Sequence, residues 1–182
     1  MLLRAEVTFA DGFSDTVCMR LVFKGCSKAS AGTPCKNCHN PELWSFEEDG
    51  DRAERLKNFE AQVRDWAETG VQFDAVTVIG GEPLDQDETE CLSLILFIRE
   101  HYPDIPFFVY TGMDEEKFFR DPKYRDHILA KTARYMKFGP YIEEMKTPEN
   151  FGGRPFLGSL NQNIYRIDRE GDEERYVRIP VE

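Results

Sequence analysis

Three of the five cysteines in this chain, Cys26, Cys35 and Cys38, fall within Lys24–Leu43, a stretch with no hydrophobic periodicity that also holds Gly25, Gly32, Pro34 and Pro41. An irregular segment of that length inside a compact domain is either functional or disordered. The three thiols favour function. Whatever fold the chain adopts must present this loop from a rigid scaffold, and the flanking pattern predicts one. Leu3–Ala10 and Thr16–Phe23 are rich in apolar and β-branched residues, and Asp11-Gly12 between them signals a hairpin. Arg52–Thr69 carries Leu56, Phe59, Val63, Trp66 and Ala67 at helical spacing and stops at Gly70.

Asp74–Ile79 is a short, nearly continuous apolar run, as expected of a strand covered on both faces of a parallel sheet. Gly80-Gly81-Glu82-Pro83 ends it. Asp87–Glu100 is helical again, with Cys91, Leu92, Leu94, Ile95 and Ile98 on its apolar face, and Pro106–Tyr110 is a second buried strand closed by Thr111-Gly112. Glu115–Lys131 reads as mostly helical with a break near Pro122, and Tyr135–Phe138 as a short strand. A C-terminal hairpin is expected from Asn163–Asp168 and Tyr176–Ile179, turning at Glu170-Gly171-Asp172. The alternation implies an α/β fold in one domain, residues 1–182, with a parallel core. Right-handed crossovers then bring the cysteine loop, the Gly-Gly-Glu-Pro turn and Thr111-Gly112 to one edge, where such sheets bind ligands.

Composition narrows the chemistry. A formal net charge of −11 argues against a surface that neutralises phosphate backbones, so no nucleic-acid partner is expected. The N-terminal residues lack the apolar stretch of a signal peptide, and no run nears the roughly 18 to 20 apolar residues that span a bilayer. A cytoplasmic protein with no membrane partner is the expectation. In a reducing cytosol, cysteines point to metal or redox chemistry rather than to disulfides. Cys18, in a strand pattern, and Cys91, on an apolar helix face, read as buried core thiols. The runs Glu47-Glu48-Asp49 and Asp172-Glu173-Glu174 read as solvated surface.

The spacing C-x8-C-x2-C offers several sites. On a [4Fe–4S] cube, three thiolates leave one iron free to take a small molecule through nitrogen and oxygen donors. Cys35-Lys36-Asn37-Cys38-His39 also fits a c-type haem attachment sequence, though that chemistry normally goes with export and leaves Cys26 unused. Structural zinc on Cys26, Cys35, Cys38 and His39 would need two adjacent residues to reach one tetrahedral ion. A redox C-x-x-C should open a helix directly after a strand, and here a Gly/Pro-rich loop precedes it. For other residues the plainer readings are a solvated loop histidine for His39, a salt-bridging Glu82 in an ordinary turn, a helix cap for Thr111, backbone satisfaction for Asn161 and Gln162, and core packing for Trp44 and Phe46.

Gly25-Cys26, Cys35-x-x-Cys38-His39-Asn40 and Trp44 resemble the cluster loop of the activating enzymes of glycyl radical proteins, within the radical S-adenosylmethionine superfamily. Ile79-Gly80-Gly81-Glu82-Pro83-Leu84 resembles that superfamily's turn for the methionine amino group. Val109–Gly112, Gly139–Glu144 and Gly158-Ser159-x-Asn161-Gln162, in that order, are similar to the activating proteins of anaerobic ribonucleoside-triphosphate reductases. The resemblance implies a partial parallel (β/α) barrel with an N-terminal hairpin and a short C-terminal extension. It implies a [4Fe–4S] cluster on Cys26, Cys35 and Cys38, and S-adenosylmethionine beside Asn37, His39, Gly80, Gly81, Glu82 and Thr111. The implied activity is reductive cleavage of that cofactor, generating a glycyl radical on the large subunit of an anaerobic ribonucleotide reductase. The electron would come from a donor such as flavodoxin or ferredoxin. Another glycyl radical enzyme, a peptide or a small molecule stands as the alternative target, and a non-catalytic zinc module as the alternative class. The eight-residue spacing between Cys26 and Cys35 exceeds the superfamily's shorter one, and its small residues Ser27–Pro34 are expected to form a peripheral, outward bulge.

Overall fold

The computed structural model describes residues 1–9, 16–47, 50–147 and 157–180. Its frame is one seven-stranded sheet in chain order: β1 (Leu2–Phe9), β2 (Val17–Phe23), β3 (Ala75–Gly80), β4 (Phe107–Tyr110), β5 (Ala133–Phe138), β6 (Asn163–Glu170) and β7 (Glu173–Ile179). β2 to β5 are mutually parallel, while β1, β6 and β7 add antiparallel flanks. β1 and β7 stand at opposite edges, so the sheet is open. The barrel implied by the resemblance therefore reduces to a mixed α/β sheet with a parallel core. The expected Asp11-Gly12 turn lies outside the described residues, but the strands on either side pair as an antiparallel hairpin would.

The crossovers are helical for identifiable reasons. Asp51 caps α2 (Arg52–Glu68) by accepting from the Ala53 N–H at 2.8 Å, and Phe59, Val63 and Trp66 form its buried stripe. Gly70, at φ +77°, ends it, with Val71 N–H returning to the Trp66 carbonyl at 2.8 Å. Asp87 caps α3 (Glu88–His101) through the Glu90 N–H at 2.8 Å. Cys91, Leu94, Ile95 and Ile98 are buried there as expected, whereas Leu92 is 41% exposed because its position turns it off the stripe. The predicted helical stretch before β5 resolves into three short pieces, α4 (Glu115–Arg120), α5 (Pro122–Arg125) and α6 (Ile128–Thr132), interrupted where Pro122 must start a new turn.

Alternation along the strands gives the sheet two different faces. Met19, Leu21, Phe23, Val76, Val78, Phe107, Val109, Met136 and Phe138 join the large core with α2 and α3 residues. The other face carries Arg20, Thr77, Phe108, Tyr110, Tyr135 and Lys137, with a small apolar cluster of Phe108, Leu157 and Ile164. Because β2 to β5 run parallel, the loops that follow them all leave at the same edge.

Candidate metal and cofactor site

The carboxyl ends of β2 and β3 lock together through backbone contacts that only glycine permits. Gly81 N–H donates to the Phe23 carbonyl at 2.9 Å, and Glu82 N–H to the Gly25 carbonyl at 2.8 Å. A Cβ on Gly81 would sit 2.2 Å from the Gly25 carbonyl oxygen, and one on Gly80 would sit 2.1 Å from that of Phe23. Gly80 also holds φ +121°, a conformation L side chains rarely adopt. The resemblance places S-adenosylmethionine beside these glycines. The structure adds approach of the cysteine loop itself.

That loop is stitched down along its length. Gly25 N–H donates to the Leu43 carbonyl at 2.8 Å and Cys26 N–H to that of Trp44 at 3.1 Å, which ties the two ends of the loop together. Phe46, 45% exposed, lays its ring over Gly25, where a Cβ would meet it at 2.3 Å. Ser27–Pro34 is peripheral as expected, with none of its residues buried, but it is anchored to the body of the protein. Ser27–Ser30 form a one-turn helix, α1, and Ser27 N–H donates to Asp85 Oδ2 at 2.8 Å. Lys28 reaches across to the Gly112 carbonyl at 2.6 Å. Both contacts tie the insertion's start to the turns that follow β3 and β4, while Ala31, Gly32 and Thr33 face outward.

Glu82 joins those two turns. It is 5% exposed, and its carboxylate accepts from Leu84 N–H at 3.1 Å, from the Thr111 hydroxyl at 2.8 Å and from Gly112 N–H at 2.9 Å. Burial pushes its carboxyl up to about 7 although all three donors favour the ionised form. Gln86 completes the underside by donating to the carbonyls of Gly25 and Glu82 at 3.1 and 2.8 Å.

These turns enclose a cleft of about 320 Å³, lined by Cys35, Cys38, His39, Gly80, Gly81, Thr111 and Gly112 on the loop side and by Arg20, Tyr110 and Lys137 from the sheet. Tyr141, Gly158 and Gln162 close it from the C-terminal side. A larger cleft of about 730 Å³, lined by Asp114 to Lys117, Pro140 and Asn161 among others, holds none of the cysteines. Volume does not single out a site. Convergence of the sequence motifs makes the smaller cleft the candidate.

Of the predicted cofactor residues, His39, Gly80, Gly81 and Thr111 line the cleft, with the His39 ring 4.2 Å from that of Tyr141. Thr111 spends its hydroxyl on Glu82 and accepts from Met113 N–H at 3.1 Å. Glu82 lies beneath the lining. Asn37 is exposed at φ +56°, the one positive-φ residue other than glycine among the described residues, so its visible role is to turn the chain between Cys35 and Cys38. Asn161 donates to the Pro140 carbonyl at 2.8 Å, and Gln162 bridges Gly139, Gly158 and Ser159, which is the backbone satisfaction expected of them. Sequence reasoning passed over Arg20, Lys28, Asp85 and Lys137. A basic residue inside each of two apolar strands was the signal available for Arg20 and Lys137.

Cys26, Cys35 and Cys38 are half-buried free thiols, and Cys35 and Cys38 share the cleft wall. Burial is the main reason the Cys26 and Cys35 thiols are raised; at Cys35 the Lys28 charge is the first influence opposing it. Among the described residues no three His, Cys, Asp or Glu side chains converge as a single metal ion would require. A cube makes a different demand, because each thiolate binds its own iron and the sulfurs need not meet at a point. An all-thiolate donor set, a side-chain-free turn opposite it, and room at Gly112, where even a Cβ would stay 3.9 Å from Cys35 Sγ, fit that demand.

A family model described as a 4Fe-4S single cluster domain matches residues 15–165, most of the chain. The chain belongs to that family. No curated protein and no solved structure gives a significant match. In this 4Fe-4S single cluster domain protein the cysteine loop and the cleft are the candidate cluster site, and no helix among its described residues is long and apolar enough to cross a membrane.

The remaining thiols should behave differently. Cys18 and Cys91 are fully buried, and burial pushes Cys91 up to about 12. Mass spectrometry of cluster-free, folded protein treated with an alkylating agent at mildly alkaline pH should find modification at Cys26, Cys35 and Cys38 only, since thiolate and access are both needed. Rapid labelling of Cys18 or Cys91 without unfolding would contradict this packing.

Proposed function

We propose that this 4Fe-4S protein is a radical S-adenosylmethionine enzyme that generates a glycyl radical on an anaerobic ribonucleotide reductase. The observation that carries the reading is the single cleft shared by Cys35, Cys38, the Gly80-Gly81 turn, Thr111-Gly112 and the Gly158–Gln162 loop, which are four sequence motifs distant in the chain. When bound, the cluster and S-adenosylmethionine supply one-electron cleavage of a carbon–sulfur bond and hence a deoxyadenosyl radical. Cys26, Cys35 and Cys38 hold the cluster, leaving one iron for the amino and carboxylate groups of the cofactor. Gly80 and Gly81 present bare backbone to the methionine end. His39 and Tyr141, in ring contact, form a wall suited to the adenine side. The Glu82–Thr111–Gly112 joint holds the two turns in fixed relation, so the cofactor meets a preorganised site.

The target enters by the open side of the cleft, and an electron donor such as flavodoxin or ferredoxin completes the cycle. Anaerobic reconstitution should give about four irons per chain, as a single cube requires. Alanine at Cys26, Cys35 or Cys38 should abolish it, and alanine at Cys18 or Cys91 should not. Reduced protein should release 5′-deoxyadenosine, and with the cognate large subunit should produce a glycyl radical signal in electron paramagnetic resonance. Stoichiometric zinc without sulfide would remove the whole reading. Cofactor cleavage with no radical on the reductase subunit would move the target to another glycyl radical enzyme, a peptide or a small molecule.

A further inference from the structure

The insertion between Cys26 and Cys35 is an ordered device. Ala31 N–H closes on the Ser27 carbonyl at 2.9 Å and Gly32 N–H on that of Ala29 at 3.0 Å. Gly32, at φ +75°, turns the chain back, and Thr33 caps the Lys28 carbonyl through its N–H at 2.8 Å and its hydroxyl at 3.2 Å. Every one of these bonds fixes the backbone around Lys28. With its main chain held and Ser27 tied to Asp85, the half-buried Lys28 side chain extends to the Gly112 carbonyl. Gly112 is the residue whose added Cβ would lie 3.9 Å from Cys35 Sγ, and its N–H binds Glu82. The ammonium is thus held at the turn beside Cys35 that Glu82 also joins, while Arg20 and Lys137 line the same cleft from the sheet.

We propose that Lys28 is a positioning residue that sets the electron affinity of the cluster, the insertion existing to hold one fixed positive charge at the Gly112 carbonyl. This rests on the reading that Cys26, Cys35 and Cys38 bind a [4Fe–4S] cube. Reduction adds one electron to a group already made anionic by its thiolates, and a nearby cation stabilises the more negative state. Partial burial keeps salt from screening it fully. Without Lys28 the site loses the cation held at the Gly112 turn, Arg20 and Lys137 remaining from the sheet, and reduction is harder.

The test is a redox titration of the anaerobically reconstituted full chain, read by electron paramagnetic resonance, for wild type and for Lys28→Arg, Lys28→Gln and Lys28→Met. Arginine keeps the charge, glutamine keeps a donor for Gly112 without charge, and methionine keeps only the bulk. Iron content and far-ultraviolet circular dichroism accompany each variant. The expected result is full iron in all four, a midpoint for arginine near wild type, and midpoints for glutamine and methionine both displaced to more negative potential. At the wild-type midpoint, both neutral variants would then be reduced to well under one half. A common midpoint in all four overturns the proposal while leaving the cluster reading intact. So does a wild-type midpoint in Lys28→Gln, which would assign the effect to the Gly112 hydrogen bond. Loss of iron in a folded Lys28→Met with iron kept in Lys28→Arg makes Lys28 an assembly residue and also overturns it. Wild type that takes up no iron and sulfide fails the cluster reading itself.

Discussion

Alanine at Gly81 should lower the stability of the cluster-free protein by at least about 3 kcal/mol, the scale of severe overpacking against an unyielding neighbour. The atom it strikes is the Gly25 carbonyl oxygen, 2.2 Å from the new Cβ, and that oxygen already accepts from Glu82 N–H and from Gln86. Backbone on both sides leaves no rotamer to swing away. Gly80→Ala should be as damaging, since it combines a 2.1 Å approach to the Phe23 carbonyl with φ +121°. Gly171→Ala is the control: its Cβ meets nothing within 4 Å, so only its φ of +59° penalises the change, by about 1 kcal/mol. Urea unfolding measures all three. A Gly81→Ala midpoint close to that of Gly171→Ala would mean that the β2 and β3 ends are not packed as described. Substitutions at Gly81 therefore report on folding before they report on cofactor binding. Gly112→Ala is the cleaner probe of the cleft, because its Cβ would make only ordinary contacts, 3.6 Å from Glu82 Oε2 and 3.9 Å from Cys35 Sγ.

The distinction between those glycines marks where sequence reasoning stopped. Strands and long helices were legible because their signals are local: the Ala75–Gly80 run, the Phe59, Val63, Trp66 stripe and the Glu170-Gly171-Asp172 turn each declare themselves within a few residues. The meeting of the cysteine loop, the Gly-Gly-Glu-Pro turn and Thr111-Gly112 was legible too, since parallel strands put their following loops at one edge. The insertion's peripheral place was legible from its small residues, but its anchoring was not. Its local order comes from main-chain bonds that composition does not encode, and its anchoring from two long-range contacts, Ser27 to Asp85 and Lys28 to Gly112. Glu82 could be seen to belong to the turn, but its burial under three donors could not. Two of those donors, Thr111 and Gly112, lie more than twenty residues away. The acidic runs were half legible: Asp172 and Glu173 are exposed, Glu174 pairs with Lys131 and Arg169, and Glu48 and Asp49 lie outside the described residues.

Glu82 should make the cluster-free protein lose stability as pH rises from about 4.5 through 7. Its folded-state carboxyl is raised from the ordinary 4.5 to about 7, so between those values the folded state binds the extra proton. The contribution is fully present below the unfolded value and lost as pH passes the folded one, the reverse of a salt-bridged carboxylate. A shift of that size corresponds to an upper bound of about 3 kcal/mol. Glu82→Gln should abolish this slope, and it should also be less stable than wild type at pH 5. The reason is donor geometry. Oε1 accepts from Leu84 N–H and the Thr111 hydroxyl, and Oε2 from Gly112 N–H. Either orientation of an amide turns its NH2 toward a backbone N–H, leaving buried donors facing each other at a cost of about 1–3 kcal/mol. A protonated carboxyl avoids that conflict, because its one proton goes to the Thr111 oxygen once that hydroxyl rotates. Chemical unfolding of cluster-free wild type and Glu82→Gln at pH 5 and pH 8 measures both effects. Parallel pH dependence in the two proteins would show that Glu82 does not titrate in this range, and equal stability at pH 5 would show that the three donors do not converge on it.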